Sequence, residues 1–251
     1  MWTHCTRAFT LISAVLVVTA ASHAEKRCSA EVKLLLPPPT IQEVIASFIF
    51  AKPTSGQIYF FDTDARDLQR QGVIVRVRQG ANDDLTVKVR VPEGSKQIDV
   101  SSLRAHFPCE VNRTGAGEDT DYSVRRRYKT LVVPETGLDI FKLLNPSQKK
   151  LLQQAKVSID WERTTRTVGI RSTNWETTTQ RPFRRLALEL WEWPAGSILE
   201  VSAKVRPDQE QSKYAELQRL VNRKNMSLSP TQGNKTSAVL ETIAYPSSPA
   251  R

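Results

Sequence analysis

FFDTDARDLQRQGVIVRVRQGANDDLTVKVR, Phe60 to Arg90, reads as two short strands around a polar turn. Val73, Val75 and Val77 face one way, and Ile74, Arg76 and Arg78 face the other. Val87, Val89 and Val91 oppose Thr86, Lys88 and Arg90 in the same manner. One face of the hairpin therefore carries four bases, and acids enter only at the turn. Two readings are open. The face points at water, as the polar side of an antiparallel sheet usually does, or it lines an interior.

Other strands carry the same alternation. Glu31 and Lys33 share one face of an N-terminal strand over 29–35. Glu200, Ser202 and Lys204 share a face opposite Val201, Ala203 and Val205, and Glu189 lies on the strand before them. If these strands close, their charged sides converge inside a barrel and their apolar sides turn outward against helices, which inverts the usual layout. A basic interior is costly unless an anion fills it. A few glutamates among the bases can hold a divalent cation through oxygen ligands.

Strands are also expected at 107–113, 122–133, 157–171, 184–193 and 197–206. PPPT breaks the first strand, and Thr40 with Glu43 forms a capping-box pattern for a helix over 41–50. Asn145-Pro146 starts a second helix. Asp208 caps a third through about Asn222, and SAVLETIA (237–244) forms a last short one. The tail after it is loose. The pattern predicts an α+β fold, mainly β: an antiparallel eight-stranded barrel with a few packed helices.

The chain has 251 residues and a net charge of +10. Arg7, the apolar run FTLISAVLVVTAA and small residues before Glu25 read as a secretory signal peptide ending at Ala24, with an uncleaved anchor as the alternative. The mature chain, 25–251, is one domain with a core over about 29–224. It loses Arg7 and keeps +9, a charge that suits an anionic partner. It is expected to be secreted or periplasmic and free of the membrane once the signal is removed. Cys28 and Cys109 remain after that, an even number in an oxidising compartment, and are expected to form a disulfide. The rival reading is a reactive thiol at Cys109 beside His106. His106 is the one mature histidine, which excludes histidine-rich zinc sites and most histidine acid–base chemistry. No phosphate-binding P-loop, HExxH or GxSxG motif is present. Triplets beginning at Asn112, Asn225 and Asn234 are glycan acceptors only in a glycosylating host. The bases alternate on strands rather than clustering with exposed aromatics, so specific nucleic-acid recognition is not expected.

The block YFFDTDARDLQRQGVIVRVRQGANDDLTVKVR, with SAEVK at 29–33 and LELWEWPAGSILEVSAKV at 188–205, resembles the CYTH domain of the triphosphate tunnel metalloenzymes. The resemblance covers roughly 29–206. It implies a tunnel of antiparallel strands that binds a triphosphate, with magnesium or manganese as cofactor. It implies phosphate contacts at Lys33, Arg76, Arg78 and Lys88, where guanidinium forks and ammonium charges suit phosphate oxygens. Arg90 and Lys204 extend the same faces, and Arg166 is the candidate from the middle strands. Glu31, Glu189 and Glu200 are the implied metal ligands, with Glu31 and Lys33 at the catalytic centre. Ser29 and Ser202 stand where this pattern places further glutamates, and Glu110 or Glu192 are the substitutes. Two functions follow. One is a metal-dependent triphosphatase. The other is a non-catalytic module that binds a phosphate-rich anion. Export favours polyphosphate over a nucleotide.

Overall fold

The computed structural model describes residues 28–81, 83–95, 98–177, 181–243 and 245. The expected signal peptide, 1–24, and the tail after Tyr245 lie outside the described residues. Ten strands form one sheet: β1 (Ser29–Leu36), β2 (Thr54–Asp62), β3 (Val73–Gln79), β4 (Asp83–Pro92), β5 (Cys109–Thr114), β6 (Gly117–Tyr128), β7 (Thr165–Arg166), β8 (Ile170–Glu176), β9 (Ala187–Trp193) and β10 (Gly196–Val205). In the order β3-β4-β6-β5-β1-β10-β9-β8-β2, with β2 pairing back onto β3, nine of them close into a barrel. The two-residue β7 adds to β2 alone.

The expected mainly-β barrel is present, with nine strands rather than eight and with one parallel pair, β1 against β5. The strand that the sequence concealed is β2. Ile58 and Phe60 are buried on its inner side, and Phe61 is buried with Tyr59 half-buried on its outer side. A strand that is apolar on both faces shows no polar–apolar alternation. The expected strand over 157–171 is mostly irregular, and pairing resumes in earnest only at β8.

Among the described residues seven helices pack on or into the barrel: α1 (Ile41–Ser47), α2 (Asp67–Arg70), α3 (Val100–His106), α4 (Gly137–Leu143), α5 (Pro146–Gln154), α6 (Glu210–Arg223) and α7 (Lys235–Thr242). The α5 start is the expected one. Asn145 accepts from the Gln148 amide, and the Gln148 side chain accepts from the Asn145 amide. Thr40 does not cap α1. Its hydroxyl donates to the Pro37 carbonyl at 2.7 Å, because the chain enters α1 through a 3-10 turn over Pro38–Thr40. A similar turn over Pro207–Gln209 takes Asp208 out of the capping position of α6.

The outward valines of β3 and β4 pack with Leu103 of α3, Ile140 of α4 and Leu151 and Leu152 of α5. On the opposite wall Val32, Leu34, Leu199 and Val201 pack with Leu217, Leu220 and Val221 of α6. Each such side chain contributes about 1.5–3 kcal/mol when fully buried. The barrel is therefore held from outside, and its interior is left to polar groups. A third cluster lies inside. Ile58, Phe60, Ile74, Ile170 and Trp191 meet Val239, Leu240 and Ile243 of the α7 region, which seals one end of the barrel. Cys28 and Cys109 form a disulfide between the start of β1 and the start of β5, so Cys109 carries no free thiol.

Candidate functional site: a charged tunnel

The Asp62-Thr63 pair of the opening stretch does structural work. Asp62 accepts from the amides of Thr63 and Leu68 at 2.8 Å and of Gln69 at 2.9 Å. That fixes α2 and the turn into β3. Gly72 then takes φ +69°, and a Cβ there would lie 2.5 Å from the Arg90 carbonyl oxygen, so only glycine lets β3 start so close to β4.

From this start the alternation of β3 and β4 aims Arg76, Arg78, Lys88 and Arg90 into a cavity of about 580 Å³ inside the barrel. Eight basic and four acidic side chains line it. Among them are Glu31 and Lys33 from β1, Glu189 from β9, and Glu200 and Lys204 from β10. Every expected site residue except Arg166 is brought to this one space. Arg166 lies outside. It pairs with Glu135 at 2.9 Å and lies over the Tyr59 ring at 5.4 Å, because β7 meets the outer half of the alternation on β2. Glu110 lines the cavity and Glu192 does not. Glu192 follows Trp191 on β9 and takes the opposite face.

The bases differ in what they already hold. Arg90 makes a forked contact with Asp121 at 2.8 and 2.9 Å, and Lys88 reaches the same carboxylate at 2.9 Å. Asp121 is 1% exposed. Burial would raise its pKa, but Lys88 and Arg90 hold it well below the usual range. Lys204 is bonded to Glu110 at the rim. Arg78 meets Glu189 at 3.1 Å. Arg76 has neither kind of support. Its buried Nε has no hydrogen-bond partner, and among the described residues no carboxylate comes within ion-pair distance of it. Burial, with Arg78 beside it, pushes its guanidinium from 12.5 down to about 9. Burial likewise pushes the Lys88 ammonium down to about 8, against the pull of Asp121.

The acids are also occupied. Glu31 contacts Lys33 at 3.1 Å and accepts from Ser202 at 2.9 Å. Burial alone would raise it, yet Lys33 and Lys204 hold it at about 2. Glu189 and Glu200 share the ammonium of Lys235. Burial would raise the Glu189 carboxyl too, but Lys235 and Arg78 hold it low. A magnesium or manganese ion asks for several converging oxygens. Among the described residues no three His, Cys, Asp or Glu side chains form a group that could hold a metal. In this arrangement the donor set does not fit a divalent cation.

Arg125, Asp121 and Lys235 were missed from sequence. Asp121 was legible, since Asp119, Asp121, Ser123 and Arg125 alternate along β6 much as the bases do on β4. Lys235 was read only as the middle of an Asn-Lys-Thr triplet. Asn234 is instead the N-cap of α7, accepting from the Thr236 amide at 3.0 Å. Asn112 is fully buried and donates to Asp119 at 2.9 Å.

No protein-family model matches the chain, and no curated relative does. Solved structures do match. One is HpAC1 from Hippeastrum, described as an adenylyl cyclase candidate with a dominant triphosphatase activity. It is 18% identical with a TM-score of 0.56, over 84% of this chain and 94% of that one. Another is an adenylate cyclase candidate from Bacillus halodurans, 17% identical with a TM-score of 0.56, over 85% of this chain and 98% of that one. The chain has the fold of these proteins, which is the CYTH-like fold that its sequence resembles.

Proposed function

We propose that the tunnel binds a linear triphosphate or a short inorganic polyphosphate. The observation that carries this reading is Arg76, a half-buried guanidinium that faces the cavity, its Nε without a hydrogen-bond partner and no carboxylate within ion-pair distance of it among the described residues. Asp84, Glu189 and Asp121 attract it only from beyond that distance, so the charge is poorly compensated, and a chain of phosphate oxygens is the counter-charge that fits. Lys88 and Arg78 flank it on the same wall. If residues 1–24 direct export, inorganic chains become the natural ligands, because nucleoside triphosphates are scarce outside the cytoplasm.

Metal-dependent hydrolysis is the second reading. It is favoured by the convergence of Glu31, Glu189 and Glu200 on one cavity, and by the triphosphatase activity described for HpAC1. It requires Lys235 to give up the two carboxylates that it now bridges. Two measurements on the oxidised protein test the pair of readings. One is calorimetric titration with tripolyphosphate. The other is phosphate release with magnesium or manganese and with EDTA. Binding that Arg76→Met weakens supports the tunnel reading. Absence of binding refutes it. Release that needs metal and disappears in Glu200→Ala adds catalysis.

A further inference from the structure

We propose that the ammonium of Lys235 is a built-in cation, standing between Glu189 and Glu200 where a divalent metal would otherwise sit, so that the tunnel takes its anion without metal. The inference rests on the anion-binding reading above.

Lys235 is 5% exposed. Its Nζ lies 3.0 Å from Glu200 Oε1, is bonded to Glu189 Oε2, and sits 4.5 Å from the centre of the Trp191 ring. The aromatic face adds favourable cation–π attraction to the two carboxylates. An ammonium has three N–H donors and no acceptor. Two are taken by Glu189 and Glu200. The third is available to a phosphate oxygen in the cavity that Lys235 lines. One group thus joins the acidic wall to the anion, as a bridging metal ion would, with one positive charge in place of two.

The placement is held from several sides. Asn234 caps α7 immediately before Lys235, and the apolar side of the helix is locked among Ile58, Phe60 and Ile74. A positive side chain at the first position of a helix opposes the helix dipole. A buried lysine there breaks a local rule, and the two carboxylates supply the compensation. The same geometry accounts for the acidic wall tolerating Ser29 and Ser202. Ser29 donates to Glu110 at 3.4 Å and Ser202 donates to Glu31 at 2.9 Å, so these positions support the remaining carboxylates and add no negative charge. An ammonium needs fewer counter-charges than a divalent ion.

The test has two arms that fail separately. In the first, manganese binding is followed by electron paramagnetic resonance with no phosphate present. The samples are wild type, Glu200→Gln, Lys235→Met and Lys235→Met with Glu200→Gln. Wild type should take up no manganese in the tunnel, Lys235→Met should gain a site, and the added Glu200→Gln should remove it. In the second, tripolyphosphate is titrated calorimetrically in EDTA. Wild type should bind equally with EDTA and with magnesium, and Lys235→Met should bind about tenfold or more weakly in EDTA, the loss of one charge-assisted hydrogen bond. Manganese bound by wild type and lost in Glu200→Gln overturns the inference and leaves the anion reading intact. So does a Lys235→Met protein that gains no manganese site. Tripolyphosphate that fails to bind wild type under any condition removes the anion reading itself. Methionine keeps the stem on Trp191. Should that variant not fold, the wild-type and Glu200→Gln arms still decide the question.

Discussion

Replacing Arg76 with methionine should make the protein more stable and a poorer binder. Methionine keeps most of the side-chain length and removes the charge. Burial and the neighbouring Arg78 depress the guanidinium from 12.5 to about 9. At about 1.4 kcal/mol per pH unit, the charge costs the protein up to ~5 kcal/mol when no anion is present. Water in the cavity screens part of that, and a gain of about 2 kcal/mol is the expected result. For a chain of this size the gain corresponds to about 4–8 °C in Tm. The bound state moves the other way. A charge-assisted contact to phosphate is worth about 1.5–3 kcal/mol, so affinity for tripolyphosphate should fall about 10–100-fold. Thermal unfolding in a phosphate-free buffer and in saturating tripolyphosphate measures both effects. The stability gain should appear in the first buffer and shrink or reverse in the second. A variant that is less stable than wild type without anion, and that binds equally well, would refute the reasoning, since Arg76 would then be serving the protein and not a ligand.

Tripolyphosphate affinity should decline as pH rises through about 8, because the Lys88 proton is held weakly without the anion, and Lys88→Arg should flatten that decline in calorimetric titrations. The sign for stability is opposite: with its folded pKa below the ordinary 10.5, Lys88 destabilises the anion-free fold when charged, and that penalty is relieved between about pH 8 and 10.5. Asp121→Asn removes the carboxylate that Lys88 and Arg90 share, and it should cost about 3–5 kcal/mol in denaturant unfolding. Reduction of Cys28–Cys109, which closes a loop of 81 residues, should lower stability by about 2–4 kcal/mol in the same assay.

The sequence disclosed the site more fully on the strands than on the helices. Period-two alternation is a strong signal, and it grouped Glu31, Lys33, Arg76, Arg78, Lys88, Arg90, Glu200 and Lys204 on shared strand faces, which with Glu189 line the cavity. Asp121 follows the same alternation and escaped because the expected strand over 122–133 begins one residue after it, whereas β6 starts at Gly117. Arg166 went wrong for the converse reason. With two residues of pairing, β7 offers no alternation from which to choose a face. Lys235 was hidden more deeply. Nothing in its neighbourhood says that α7 turns back into the barrel, because that depends on Val239, Leu240 and Ile243 finding Ile58, Phe60 and Ile74 far away in the chain. The parallel pairing of β1 with β5 is equally non-local, for their registers meet only after the whole β2–β3–β4 wall has been laid down.

The apolar seal formed by α7 makes the barrel a blind alley. Ile198 and Ile74 lie toward the sealed end, while Arg78 and Arg125 lie toward the rim that opens beside Gly80 and Arg127. On the anion-binding proposal, a long polyanion would not be threaded through such a vessel. It would be inserted by its end, with the terminal phosphates innermost and the rest trailing past the arginines at the mouth. Recognition would then depend on chain termini, and two polymers of different length offered at equal monomer concentration would compete in proportion to their number of ends.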